Sequence, residues 1–147
     1  LYAFGNKKIN NVNHLSKTLI ELHCYGSDCG INQDGIKDLK FLRYLNAYNN
    51  KKINNVNHLA NTLVELNCSG YCAINQHGIK DLKILQKLNA DNNKNICDVN
   101  HLANTLIELN CRDKCGINQD GIKDLKILRK LDTSCNETIN NVNHLAN

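Results

Sequence analysis

Leucine and isoleucine recur along the chain in two alternating patterns. One reads Leu42-x-x-Leu45-x-Ala47-x-x-Asn50-x-x-Ile53 and returns from Leu85 to Ile96 and from Leu128 to Ile139. The other reads Leu63-x-x-Leu66-x-Cys68 followed by Ile74, and returns at Leu106, Leu109, Cys111 and Ile117. Its first copy, Leu19-x-x-Leu22-x-Cys24, reaches Ile31 one residue later, which places an insertion near Ser27 and Asp28. From Leu42 the leading leucines stand at Leu63, Leu85, Leu106 and Leu128, steps of 21, 22, 21 and 22 residues. Strand side chains alternate, so Leu22 and Cys24, like their equivalents, share one inward face, and the leading leucine enters from the turn before. Stacking such strands in parallel buries those faces together. Each buried Leu contributes roughly 1.5–3 kcal/mol, which no single unit of this length accumulates alone.

The segments between strands predict two kinds of return. Ile53, Val56, Leu59 and Leu63 follow at spacings of three and four, which suits a short helical or 3₁₀ return. Ile74, Ile79, Leu82 and Leu85 leave a wider gap, filled by Asn75-Gln76-His77-Gly78. That gap predicts a turn whose Gly supplies the backbone angles of a tight reversal, repeated at Asn32–Gly35 and Asn118–Gly121.

The two patterns together form a longer unit. His14, His58, His101 and His144 mark its period as 44, 43 and 43 residues, and a partial repeat, Leu1-x-Ala3-x-x-Asn6-x-x-Ile9, opens the chain. Seven matches in phase predict one array over residues 1–147, with incomplete terminal repeats. This spacing resembles the leucine-rich repeat family, in its short class of about 22 residues per repeat. The resemblance implies an α/β fold: a right-handed leucine-rich-repeat solenoid with a parallel sheet on the concave side and short helical or irregular returns on the convex side. It also implies a protein–protein interaction scaffold with no cofactor and no catalysis. One departure stands out. Only alternate repeats keep the Asn (Asn6, Asn50, Asn93, Asn136), and Ser27, Tyr71 and Lys114 interrupt that column in the others.

Composition narrows the picture. The chain has 147 residues, 41% of them apolar, eight Cys and 27 Asn, and no Pro, Met or Trp. The longest apolar runs are a few residues, so no membrane span or signal-peptide core is visible. The absent Met predicts a fragment or processed product of an array that continues at both ends. A net charge of +4, from 18 basic and 14 acidic residues, does not predict nucleic-acid binding. The Asn, Lys and Ile bias reads as AT-rich codon usage, which discounts functional readings of individual Asn residues.

Candidate chemistry is sparse. Cys24, Cys68 and Cys111 stand where Ala47, Ala90 and Thr133 stand in the other repeats, as small core residues. Cys29, Cys72 and Cys115 follow at spacings that superficially suit zinc. Equivalent columns two repeats apart lie about 10 Å from each other, however, too far for one tetrahedral ion or one disulfide. Cys97 and Cys135 have no repeat counterparts. Reduced thiols in an intracellular, cytoplasmic protein are the expectation, with a within-repeat pair as the alternative. The histidine column has the same wide spacing and reads as a repeated surface or turn residue, with no metal site expected. Lys37, Lys40, Lys80, Lys83, Lys123 and Lys126 alternate with Asp38, Asp81 and Asp124, which reads as a solvated face. No phosphate loop, nucleophile elbow or paired-carboxylate motif appears.

Residues flanking the inward strand positions form columns on the open sheet face. One runs Glu21, Tyr44, Glu65, Lys87, Glu108, Lys130, and its last four alternate in sign. The next runs Tyr2, His23, Asn46, Asn67, Asn89, Asn110, Asp132; a third runs Phe4, Tyr25, Tyr48, Ser69, Asp91, Arg112, Ser134. Five of the seven aromatic residues thus fall on this face in the first three repeats. Tyr2, Phe4, Tyr25, Tyr44 and Tyr48, with His23, are the candidate partner-binding residues, since clustered Tyr buries large area at low entropy cost. The alternative is that the aromatics pack on one another or on a preceding repeat. The expected partner is a protein, with no nucleic acid and no membrane. Two rival roles remain open: self-assembly through the solenoid ends, and substrate capture for a larger enzyme.

Overall fold

The computed structural model describes residues 1–145. Six three-residue strands form one parallel sheet in chain order: β1 (Glu21–His23), β2 (Tyr44–Asn46), β3 (Glu65–Asn67), β4 (Lys87–Asn89), β5 (Glu108–Asn110) and β6 (Lys130–Asp132). Each begins two residues after a leading leucine. The register is uniform. Leu22, Leu45, Leu66, Leu88, Leu109 and Leu131 are paired neighbour to neighbour, with the flanking residues paired in the same order as the predicted columns. A parallel bridge from Tyr2 to His23 adds the partial first repeat.

One core runs the length of the solenoid. The leading leucines Leu42, Leu63, Leu85 and Leu106, the strand leucines of β1 to β5, Cys24, Ala47, Cys68, Ala90 and Cys111 are buried, together with Ile53, Val56 and Leu59 of the return, and Leu19, Leu128 and Leu131 at the ends are partly buried. The return after the Asn-bearing turn includes a single 3₁₀ turn at Asn57–Leu59, matched at Asn13–Leu15, Asn100–Leu102 and Asn143–Leu145. The wider gap holds a one-turn helix, α1 (Gln76–Ile79), capped by the Asn75 side chain, which accepts from the Gly78 N–H at 3.1 Å.

Each strand, and the Tyr2 bridge, is followed three residues on by a residue with left-handed backbone, two places after the inward small residue. Gly5, Gly26, Asn49, Gly70, Asn92, Asp113 and Cys135 occupy this column, with φ between 56° and 94°. Gly, Asn and Asp are the residues that tolerate it; Cys135 is the exception. The Gly35, Gly78 and Gly121 turns have a different cause from the one expected. None has positive φ; instead a Cβ there would overlap the carbonyl oxygen of Asn10, Asn54 or Cys97 in the next-packed backbone. Close approach of one repeat to another, rather than a left-handed reversal, requires glycine at these positions.

Asparagine and glutamine side chains clasp the repeats together, so individual Asn residues carry structural roles whatever the source of the compositional bias. Asn50, 1% exposed, donates from Nδ2 to the carbonyls of Cys24 (2.8 Å) and Ile31 (3.2 Å) in the preceding repeat. Its Oδ1 accepts from the N–H groups of Lys52 (2.8 Å) and Ile53 (3.2 Å). Asn93 and Asn136 reach back to Cys68 and Ile74, and to Cys111 and Ile117, in the same way. On the return side, Gln33, Gln76 and Gln119 each bridge to the backbone of the following repeat. Asn13, Asn57 and Asn100 bind the backbones of residues 34 and 38, 77 and 81, and 120 and 124.

In the intervening repeats Ser27, Tyr71 and Lys114 point to solvent, and the cysteine that follows turns inward instead, one residue later at Cys72 and Cys115 and two residues later at Cys29. Cys29 Sγ–H donates to the Ala3 carbonyl at 3.5 Å, the counterpart of the Asn50 bond to Cys24. This offset in the turn thus fills the interrupted Asn column with thiols, which need fewer hydrogen bonds than a buried amide. The histidine column is more than surface. His58, His101 and His144 place Nε2 3.0–3.1 Å from the carbonyls of Ile36, Ile79 and Ile122, one repeat back.

Candidate functional site

The sheet face divides into an aromatic end and a charge-paired end. The division follows from which residues flank the strand leucines. At the aromatic end, Tyr2 and His23 stack with ring centroids 4.2 Å apart and planes within 10°, and His23 meets Tyr44 at 4.9 Å with a 35° tilt. Phe4 and Tyr25 form a second stack at 4.5 Å and 16°. Parallel strands pairing one residue per rung hold these rings at about the strand spacing, which is close to stacking distance.

Of the six predicted residues, the structure brings five into these two rows. Tyr48 has no ring neighbour among the described residues; it lies in the turn after β2, beside Gly70, and lines a depression of about 370 Å³ with Tyr71, Asp91 and Arg112. Tyr2 is 73% exposed and Phe4 63%, so stacking leaves their outer faces open. Glu21 accepts from His23 Nε2 at 2.7 Å, and that bond holds its carboxyl below the usual range. The Tyr44 hydroxyl is pushed up, first by burial and then by the neighbouring Glu65 and Glu21 carboxylates.

From β3 onward the face is polar and internally paired. Lys87 Nζ lies 3.2 Å from Glu65 and 4.0 Å from Glu108, and Lys130 lies 3.8 Å from Glu108. Beside this column, Asn67 and Asn89 each accept from the backbone N–H two residues on. Arg112 binds Asp91 through both Nε and Nη2 at 2.8 Å and lies 3.8 Å from Asp132. Asp91 is only 6% exposed, so this fork satisfies a carboxylate that burial would otherwise penalise. A shallow depression of about 190 Å³ lies over this end between Tyr44, Glu65, Lys87 and Glu108.

Sequence reasoning missed two residues near the site. Tyr71, 79% exposed, projects from the turn after β3, with Lys51 Nζ 5.8 Å from its ring centre. Its signal was present as an aromatic at the interrupted Asn position. Arg112 was placed in its column, but its pairing with Asp91 one strand away was not foreseen.

The buried thiols are chemically quiet. Burial raises Cys24 and Cys68 far above an ordinary thiol, Cys72 and Cys115 to about 11, and Cys111 to about 12. They are therefore protonated and poor nucleophiles near neutrality. All eight cysteines are unpaired; six are buried, and Cys97 and Cys135 are exposed. Among the described residues no three His, Cys, Asp or Glu side chains gather as metal ligands, and no helix is long and apolar enough to cross a membrane.

No family model and no curated protein sequence matches this chain. A solved structure does: an internalin from Listeria monocytogenes superposes with a TM-score of 0.69 at 22% identity. The match covers 92% of this chain and 40% of the internalin chain, so this chain spans less than half that protein's length. At that identity the likeness speaks to the fold, and it agrees with the uniform parallel register: the chain folds as a leucine-rich-repeat solenoid with one open sheet.

Proposed function

We propose that this chain is a protein-recognition module that captures a partner on its sheet face, and that the aromatic end makes the principal contact. Tyr2, Phe4, Tyr25, Tyr44, Tyr48 and His23 are the contact residues in this reading. The observation that carries it is the contrast along one face. Two stacked aromatic rows stand with open outer surfaces at one end. The charges of the other end are spent on one another. Preformed stacks present large apolar area whose ordering cost is already met in the free protein. The chain acts as one array of short-class repeats over residues 1–147, reduced and intracellular, consistent with buried protonated thiols.

The test is capture from extract of the source cells by the wild-type chain and by the double variant Tyr25→Ala/Tyr48→Ala. Tyr48 is exposed and Tyr25 only half-buried, so the variant keeps its urea midpoint while losing the captured protein. Equal capture by both proteins refutes the reading.

A further inference from the structure

The edge at which the chain enters each strand carries a pattern that the sheet face does not explain. Ile20, Arg43, Val64, Gln86, Ile107 and Arg129 immediately precede the six strands. The backbone N–H groups of Arg43, Val64, Gln86, Ile107 and Arg129 each donate to the carbonyl of the preceding member at 2.8 Å, so these residues form a straight column. Just ahead of the inward-facing Leu42, Leu85 and Leu128 stand Phe41, Ile84 and Ile127. Ile20, Phe41, Ile84 and Ile127 are 56, 55, 37 and 42% exposed, and Val64 and Ile107 are half-buried between them. The result is an apolar ridge along the array, beyond the scattered exposure usual on a protein surface.

The ridge is bordered by an excess of positive charge, with Asp38, Asp81 and Asp124 the carboxylates that precede it. Segments 16–20, 40–43, 60–64, 83–86, 103–107 and 126–129 contain Lys17, Lys40, Arg43, Lys83, Lys126 and Arg129 and no Asp or Glu. The ion pairs of the described residues lie on the sheet face and between Lys7 and Asp28; none involves Lys17, Lys40, Arg43, Lys83 or Arg129. The charges of Lys17, Lys40, Arg43, Lys83 and Arg129 are therefore available to a ligand, in contrast with those of the sheet face.

The ridge is also notched. A cleft of about 200 Å³ lies between Phe41 and Ile84, lined by Arg43, Asn61, Thr62 and Val64. One 43-residue unit on, Asn104, Thr105 and Ile107 recur between Ile84 and Ile127. The repeat places those residues two strand spacings, about 10 Å, along the edge from the cleft. Residues i and i+7 on one face of an α-helix are about 10.5 Å apart.

We propose that this edge docks an acidic amphipathic α-helix of a partner protein. Apolar side chains at i and i+7 seat in the cleft and at the equivalent position beside Ile107, and flanking carboxylates meet Arg43, Arg129, Lys40 and Lys83. An anionic bilayer would meet the same charges, but it has no 10 Å periodicity to match the repeat.

The probe is a synthetic helical peptide with Leu at i and i+7 and Glu on the flanking positions, measured by fluorescence anisotropy against the intact chain. Saturable binding is expected, weakened at least about tenfold when the same composition is scrambled off one face. Arg43→Glu and Ile84→Asp, both at exposed side chains, weaken it similarly while the circular dichroism spectrum and urea midpoint hold. The proposal is overturned if ordered and scrambled peptides bind alike, or if neither substitution affects binding. It is equally overturned if phosphatidylserine vesicles sediment the protein while the peptide does not bind. Because the sheet face is untouched, Tyr25→Ala/Tyr48→Ala serves as a control that retains peptide binding.

Discussion

Replacing Asn50 by Ala measures what the inter-repeat clasp contributes. The side chain is 1% exposed and makes four hydrogen bonds, two to carbonyls of the preceding repeat and two from its own turn. Alanine removes all of them and leaves two carbonyls and two N–H groups without partners in a core that Cys24, Ile31 and Ile53 line. An orphaned buried polar group costs about 1–3 kcal/mol, and a water entering the vacated space recovers part of that, so the expected loss is about 3–4 kcal/mol. Asn6 is an internal control in the same column. It is exposed, its Oδ1 accepts from Lys8 and Ile9, and it donates to no carbonyl, so Asn6→Ala is expected to cost under about 1 kcal/mol. Urea unfolding followed by circular dichroism reads both. Comparable m-values are required before the midpoints are compared, because a repeat array that loses a central interface can unfold in two steps. Equal losses for Asn50→Ala and Asn6→Ala would refute the clasp.

Three further outcomes are expected. Gly78→Ala drives a methyl into the Asn54 carbonyl and should cost about 2–4 kcal/mol, whereas Gly5→Ala, with open space around it, should cost only about 1 kcal/mol for its positive φ; urea midpoints separate them. Partial burial lowers the pKa values of His58 and His101 from 6.5, against an opposing pull from the carbonyls they bind and nearby carboxylates. The unfolded chain then binds more protons below pH 6.5, so stability should be level above that pH, fall as pH drops toward the folded-state values, and flatten in a His58→Gln/His101→Gln variant. A thiol reagent near neutrality should label Cys97 and Cys135 quickly and the other six only on unfolding, counted by intact mass.

The repeat made much of the architecture readable, because one residue per rung of a parallel sheet converts sequence period directly into columns. Glu65 opposite Lys87, and Leu66 opposite Leu88, follow from spacing alone. So does the gathering of aromatics at one end, though the stacking of His23 between Tyr2 and Tyr44 needed the ring positions. Less legible were interactions that join backbone to side chain. Asn50 and Gln33 bind carbonyl and N–H groups, which leave no pattern in the sequence. Gly78 owes its identity to a carbonyl 24 residues earlier rather than to its own φ. The substitution of Cys72 for Asn across a one-residue offset was hidden because a rigid alignment puts Tyr71 there. The strand-leading ridge escaped notice because its members alternate between the two half-repeats and sit beside the leucines that dominate the pattern.

Hydrogen–deuterium exchange of the captured complex against the free chain tests partner recognition on the sheet face most directly. New protection is expected in β1 and β2 and the turns after them, residues 21–25 and 44–48, with the return-side segments unchanged. Protection confined to the return side, with exchange in β1 and β2 as in the free protein, would contradict it.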